Sequence, residues 1–171
     1  MAKRLFQAAT FTPTATADGG TNFLANSTYM GIENPGASTA LNVIEIYEGG
    51  QASASSINIM QFARSVAFAT TPTALATPNA DGPLNSFTQA MSTAVLTFVA
   101  ASTGPARSSV ATQARLNLSF NAFGGIVRWV AAPGEEWGII GTTASASGST
   151  LSAFTGGSVG LMGAHIVYEP L

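Results

Sequence analysis

The sequence predicts an all-β protein: a single-domain β-sandwich, jelly roll or barrel with short strands and long loops. Three observations carry that reading. Gly and Pro pairs cut the chain into strand-sized pieces, among them Gly19-Gly20, Asn34-Pro35-Gly36, Gly49-Gly50, Asp81-Gly82-Pro83, Gly124-Gly125 and Pro133-Gly134. Such pairs mark turns, because Gly tolerates positive φ and Pro fixes φ near a turn value. Several pieces between them alternate apolar and polar residues, the period of a half-buried strand. The third observation is that 171 residues without a charge run, a heptad or a shift in composition suit one domain.

The elements follow in order. Residues 1–28 read as an N-terminal arm and first strand, partly extended, and 29–171 as one β domain. Thr28–Glu33 is a strand. Leu41–Glu48 is a longer one, with Leu41, Val43, Glu45 and Tyr47 on one face and Asn42, Ile44, Ile46 and Glu48 on the other. In Ser56–Phe62, the side chains Ile57, Ile59 and Gln61 oppose Asn58, Met60 and Phe62. β-branched and aromatic residues favour such pleated surfaces. A buried strand is expected over 94–100, and a short helix has room in 54–69 or 86–93. In Leu116–Phe123, Leu116, Leu118, Phe120 and Ala122 face the core. Ile126–Val130 and Trp137–Ile140 read as the two arms of a hairpin joined through Ala132-Pro133-Gly134-Glu135, where Pro and Gly stand as a type II turn prefers. His165–Tyr168 closes the chain.

Charge is the sparsest commodity. Six basic and eight acidic residues make 8% of the chain, against about 25% in ordinary soluble domains. Ser, Thr, Asn, Gly and Ala must cover the surface, which points to a surface that meets other protein. A net charge of −2 gives no reason to expect nucleic acid as a partner, and no run of apolar residues is long enough for a membrane span. The start, Met1-Ala2-Lys3-Arg4-Leu5-Phe6-Gln7, lacks the apolar stretch of a signal peptide. Without cysteine, disulfides and thiolate metal sites are excluded.

Candidate chemistry is thin. Glu135 and Glu136 are adjacent, whereas paired carboxyl catalysis of glycoside hydrolysis needs two groups about 5 to 10 Å apart across a bond. They read as solvated turn charges. His165 is the single histidine, too few for a zinc site, and no Gly-x-Ser-x-Gly sequence supplies a nucleophile for it; a satisfied strand histidine is the expectation. No cofactor and no metal is expected, and no enzyme. The residues that stand out are Trp129, Trp137, Arg128, Glu136 and Tyr47, as an interface or a stacking platform. Arg128, inside an apolar strand, should pair with Glu136 across the hairpin or with an acid of a neighbouring subunit.

Sparse charge, abundant Ala, Ser, Thr and Gly, no cysteine and a string of short strands resemble the structural proteins of tailed-bacteriophage virions, the capsid decoration (cement) type above all. The resemblance lies in whole-chain texture, with the FGGIVRWVAAPGEEWGIIG segment and the GLMGAHIVYEPL close as its most shaped parts. It implies a symmetric oligomer, a homotrimer by preference, bound to the major capsid protein on the surface of the virion. The competing expectation is a carbohydrate- or receptor-binding β module of a phage fibre or adhesin, stacking its ligand on Trp129, Trp137 or Tyr47.

Overall fold

A computed structural model of the chain describes residues 5–11, 28–34, 40–65, 82–83, 96–99, 115–140, 147–153 and 162–171. Its strands are β1 (Phe6–Phe11), β2 (Thr28–Asn34), β3 (Ala40–Gly50), β4 (Ile57–Arg64), β5 (Gly82–Pro83), β6 (Leu96–Val99), β7 (Arg115–Asn121), β8 (Ile126–Val130), β9 (Trp137–Ile140), β10 (Ser147–Ala153) and β11 (Met162–Pro170). They form two antiparallel sheets. One runs β5-β1-β11-β3-β8, with β9 also on β3; the other runs β6-β2-β10-β4-β7. The all-β sandwich is as the punctuation and alternation predict.

Its connectivity is that of a jelly roll. β1 pairs with β11, β2 with β10, β3 with β8 and β9, and β4 with β7, so the two halves of the chain form a ribbon. The steps β1 to β2, β2 to β3, β3 to β4, β7 to β8, β9 to β10 and β10 to β11 each cross from one sheet to the other. The long connection between β4 and β7 carries β5 and β6, which extend the two sheets beyond β1 and β2.

Both sheets bury their facing sides in one core, with Phe6, Ile46, Ile139, Ile166 and Tyr168 from the first sheet and Ile32, Met60, Phe62, Leu118 and Leu151 from the second. Phe6 and Tyr168 stack with ring centroids 5.9 Å apart. Phe62 meets Trp137 across the sandwich at 5.1 Å and 59°. The Trp137 indole donates to Ser149 Oγ at 2.8 Å, and the Arg64 guanidinium lies 4.9 Å from the centre of the same ring.

Two bulges correct the simple alternation. In β3 the register against β11 slips between Val167 and Tyr168, leaving Ile44 as the extra residue. The inward set is therefore Leu41, Val43, Ile46 and Glu48, while Glu45 and Tyr47 turn to the outer face. A bulge places two residues of one strand against one of its partner, and so reverses the parity beyond it. The second slip is in β2 at Tyr29, whose hydroxyl then reaches across the core to donate to the Met162 carbonyl at 2.8 Å. Burial holds that phenol above its ordinary pKa; the Met162 bond opposes the shift and the nearby Glu48 adds to it.

The 126–140 segment is not a hairpin. β8 pairs with Glu45–Gly49 of β3 and β9 with Ala40–Val43, so both lie along the same neighbour, one after the other. Residues 131–136 are an excursion in one interrupted edge strand, anchored where Ala131 N–H donates to the Ile44 carbonyl at 2.9 Å. The Pro-Gly turn itself is as expected, with Gly134 at φ 87° and Glu135 N–H donating to the Ala132 carbonyl at 2.9 Å. A turn of that type splays its flanking strands rather than pairing them.

Of the region 54–69, the described residues 54–65 hold strand β4 and no helix, 66–69 lie outside the described residues, and β6 lies within the strand expected over 94–100. The region 86–93 lies outside the described residues. Phe6–Phe11 is a sheet strand with Phe6 and Ala8 buried; residues 1–4 and 12–27 of the N-terminal arm lie outside the described residues.

Candidate functional site

Alternation fixes what the six-stranded sheet shows on its outer side. One cross-strand row runs Ala9, His165, Tyr47, Arg128, and the next holds Gly163, Gly49 and Ile126. Two glycines side by side leave a hole in the carpet of side chains. The result is a depression of about 440 Å³ floored by Gly49, Gly163 and Ala9, walled by Tyr47, His165 and Ile126, and rimmed by Gln7 and Gln51.

The adjacent glycines of β3 differ in kind. At Gly50 a Cβ would collide with the backbone of Asn121 and Ala122, because the end of β3 is clamped to the β7–β8 turn. Gly50 N–H donates to the Gly125 carbonyl and Ala52 N–H to the Ala122 carbonyl, both at 2.8 Å. At Gly49 a Cβ would meet no more than the edge of the Tyr47 ring at 3.9 Å, an ordinary contact. Its φ is also not among the positive ones.

His165 stands in a strand, as expected, but it is not satisfied. Its Nε2 is buried and has no hydrogen-bond partner. Burial lowers its pKa, with Glu45 pulling the other way, so the ring is neutral at neutral pH. Glu45 is engaged elsewhere: Arg128 Nε and Nη2 donate to its two carboxylate oxygens at 2.8 and 2.9 Å. The pair is a diagonal cross-strand contact between β3 and β8. Arg128 therefore pairs with Glu45 and not with Glu136, because the strand beside β8 is β3 and not β9. Glu136 instead borders a smaller hollow of about 180 Å³ with Ile44, Val130 and Pro133.

The two indoles do not form an outward platform. Trp137 is buried at 8% exposure, and Trp129, opposite Ile46, packs against the core. Of the three rings singled out in the sequence, Tyr47 alone lies on the outer face, in the wall of the depression. Sequence reading missed Gly49, Gly163, Gln7 and Gln51. The available signal was Gly49-Gly50 at the end of a strong strand, which reads as a turn until the structure carries the strand through it.

A second feature borders this site. The β7–β8 turn passes from one sheet to the other through Asn121, whose side chain accepts from Phe123 N–H and donates to Ser55 Oγ, both at 2.9 Å. Gly124 supplies the positive φ, 68°, and Gly125 the room that a Cβ would take from Asn121. So tight a crossing turns Phe123 outward. Phe123, Ile57 and Ile126 are 61%, 62% and 63% exposed at this end of the sandwich, a collection of large apolar side chains that water alone does not favour.

Among the described residues no group of three or more His, Cys, Asp or Glu is placed to hold a metal ion. No family model, curated protein or solved structure matches the chain.

Proposed function

We propose that this protein is a structural component that works through repeated protein–protein contacts, as a decoration protein bound to the outside of a viral capsid. The observation that carries the reading is the exposure of three large apolar side chains, Ile57, Phe123 and Ile126, at one end of the sandwich in a chain with 8% charged residues. Large apolar side chains exposed around one end suit a contact surface, and sparse charge lowers the cost of covering it. Symmetric assembly repeats such a contact several times, so that modest contacts add to a firm attachment. A protein that binds an assembled lattice and not its loose subunits stabilises the lattice by mass action. Jelly-roll connectivity serves capsid proteins and also lectins and cupins, so it is compatible with the reading without selecting it.

The test uses the whole chain. Light scattering should give a closed oligomer, a trimer by preference, and the Ile57→Glu, Phe123→Glu double variant should give a folded monomer. Antibody fragments against the chain should label the surface of the particles made in its native host. A wild-type chain that stays monomeric at high concentration, or particles without label, would end the proposal.

A further inference from the structure

We infer that the glycine-floored depression on the outer face of the six-stranded sheet is a binding site for a neutral saccharide, one or two rings in size. It shares Ile126 with the exposed apolar end but does not rest on the decoration role above.

The first argument is Gly49. Glycine within a strand weakens it, since it costs chain entropy and packs no side chain. The chain requires glycine where φ is positive or where backbone comes close, and neither holds at Gly49. Its neighbour Gly50 is explained by the clamp on Ala122; Gly49 is not. A strand glycine without an internal reason marks a place where something else approaches the backbone. The space above it, about 440 Å³, falls within the range of roughly 300 to 1,000 Å³ of small-molecule sites.

The second argument is the chemistry of the lining. Among the described residues no carboxylate, guanidinium or ammonium group lines the depression, and burial keeps the His165 ring uncharged. A phosphate, a carboxylate or a cation would find no opposite charge. The polar groups are the carboxamides of Gln7 and Gln51, the Tyr47 phenol and the imidazole. Carboxamides and phenol both donate and accept, which suits a ligand whose hydroxyls do the same. Tyr47 and Ile126 provide apolar surface for the C–H face of a pyranose, and the bare floor lets that ring lie close.

The third argument excludes the nearest competitor, an extended peptide. The floor lies in the middle of a sheet, where Gly49 is already paired with Gly163 on one side and Ile126 on the other. At its two glycines, each paired on both sides, it offers no free strand edge on which a peptide could add by backbone hydrogen bonds.

The wild-type chain would be titrated with glucose, galactose, mannose, N-acetylglucosamine and their α- and β-linked disaccharides, following the Tyr47 and His165 ring signals by NMR. The expected result is saturable shifts at those rings and at Gly49 for at least one sugar, with a millimolar Kd. Gly49→Val fills the floor and suits a strand, so it should weaken that binding at least tenfold with the remaining spectrum and the melting temperature preserved. Inorganic phosphate and acetate should shift nothing. The inference fails if no sugar of the panel saturates these signals, or if binding survives both Gly49→Val and Tyr47→Ala. It also fails if Gly49→Val changes the mass seen by light scattering, which would make the depression a contact between copies of the chain. Because Ile57 and Phe123 are untouched, loss of sugar binding here and loss of assembly through the apolar end are separate outcomes.

Discussion

At the scale of single residues, Gly49 and Gly50 make opposite predictions from adjacent positions. Gly49→Ala meets only an ordinary contact with the Tyr47 ring in a strand, so it should raise unfolding free energy by about 0.5 to 1 kcal/mol. Gly50→Ala drives a Cβ into the Ala122 carbonyl and should lower it by about 2 kcal/mol or more. Urea unfolding of both variants decides the matter, and equal effects would refute the distinction. Glu48 is a second anomaly. It is fully buried, neither carboxyl oxygen has a partner, and burial pushes its pKa from 4.5 up to about 8. A raised carboxyl pKa means that the folded chain holds the proton that the unfolded chain gives up, so stability falls as pH rises between the two values. His165 acts in the other direction, but only below 6.5, because its folded pKa is depressed and its penalty appears on acidification. Between pH 6.5 and 8 the Glu48 loss therefore stands unopposed, at about 1.4 kcal/mol per pH unit or roughly 2 kcal/mol in all. Glu33, also raised by burial, gives a loss of the same sign as pH rises above its ordinary 4.5. Glu48→Gln should flatten most of this slope in melting experiments across that window. A slope left intact by the substitution would show that Glu48 is not its source.

At the scale of elements, the residue types were legible and the partners were not. Leu116, Leu118, Phe120 and Ala122 line the core as their alternation predicts. The inner face of β3 was misread from Ile44 onward, since a bulge is a one-residue event that leaves composition unchanged. β10, Ser147–Ala153, was not read as a strand at all. Its Ser149, Thr150, Leu151 and Ser152 are all buried, so it carries no contrast between faces, and its small polar residues resemble a loop. The β8–β9 excursion depends on competition with β3 for pairing, which no local pattern records. Trp137 shows what that competition achieves. As a hairpin residue it would be a candidate platform; laid on Val43 it becomes a bridge between sheets, against Phe62 and bonded to Ser149. Trp137→Phe keeps the aromatic contact and removes the indole donor, leaving the Ser149 hydroxyl without it. The expected loss is about 1 to 3 kcal/mol in denaturant unfolding. A Ser149→Ala, Trp137→Phe double variant should cost less than the sum of the two single ones, because each single change already breaks the shared bond.

At the scale of the whole molecule, the first and last strands are neighbours, and that decides how the chain can fold. β1 lies between β5 and β11, so the N-terminal strand completes its pairing only with the C-terminal strand in place. Residues 6–11 thus close the sandwich, although their sequence, FQAATF, is too short and too poor in β-branched residues to announce a core strand. Phe6 is 3% exposed and stacks on Tyr168, and Ala8 beside it is buried. Phe6→Ala should cost about 3 to 5 kcal/mol, the usual range for removing a buried phenylalanine. If β1 is a true member of the sheet, deletion of residues 1–11 should abolish the cooperative unfolding transition, since it also bares the edge of β11. An arm merely laid on a neighbouring copy would behave differently: truncation would spare the melting temperature of the separated chain and weaken assembly alone. Melting curves of the truncated chain and of Phe6→Ala, taken beside light scattering, separate the two. The pairing from Phe6 with Tyr168 through Phe11 with Gly163 requires the first outcome, because its removal leaves unpaired backbone along β11, the strand that carries His165 and Gly163 of the depression.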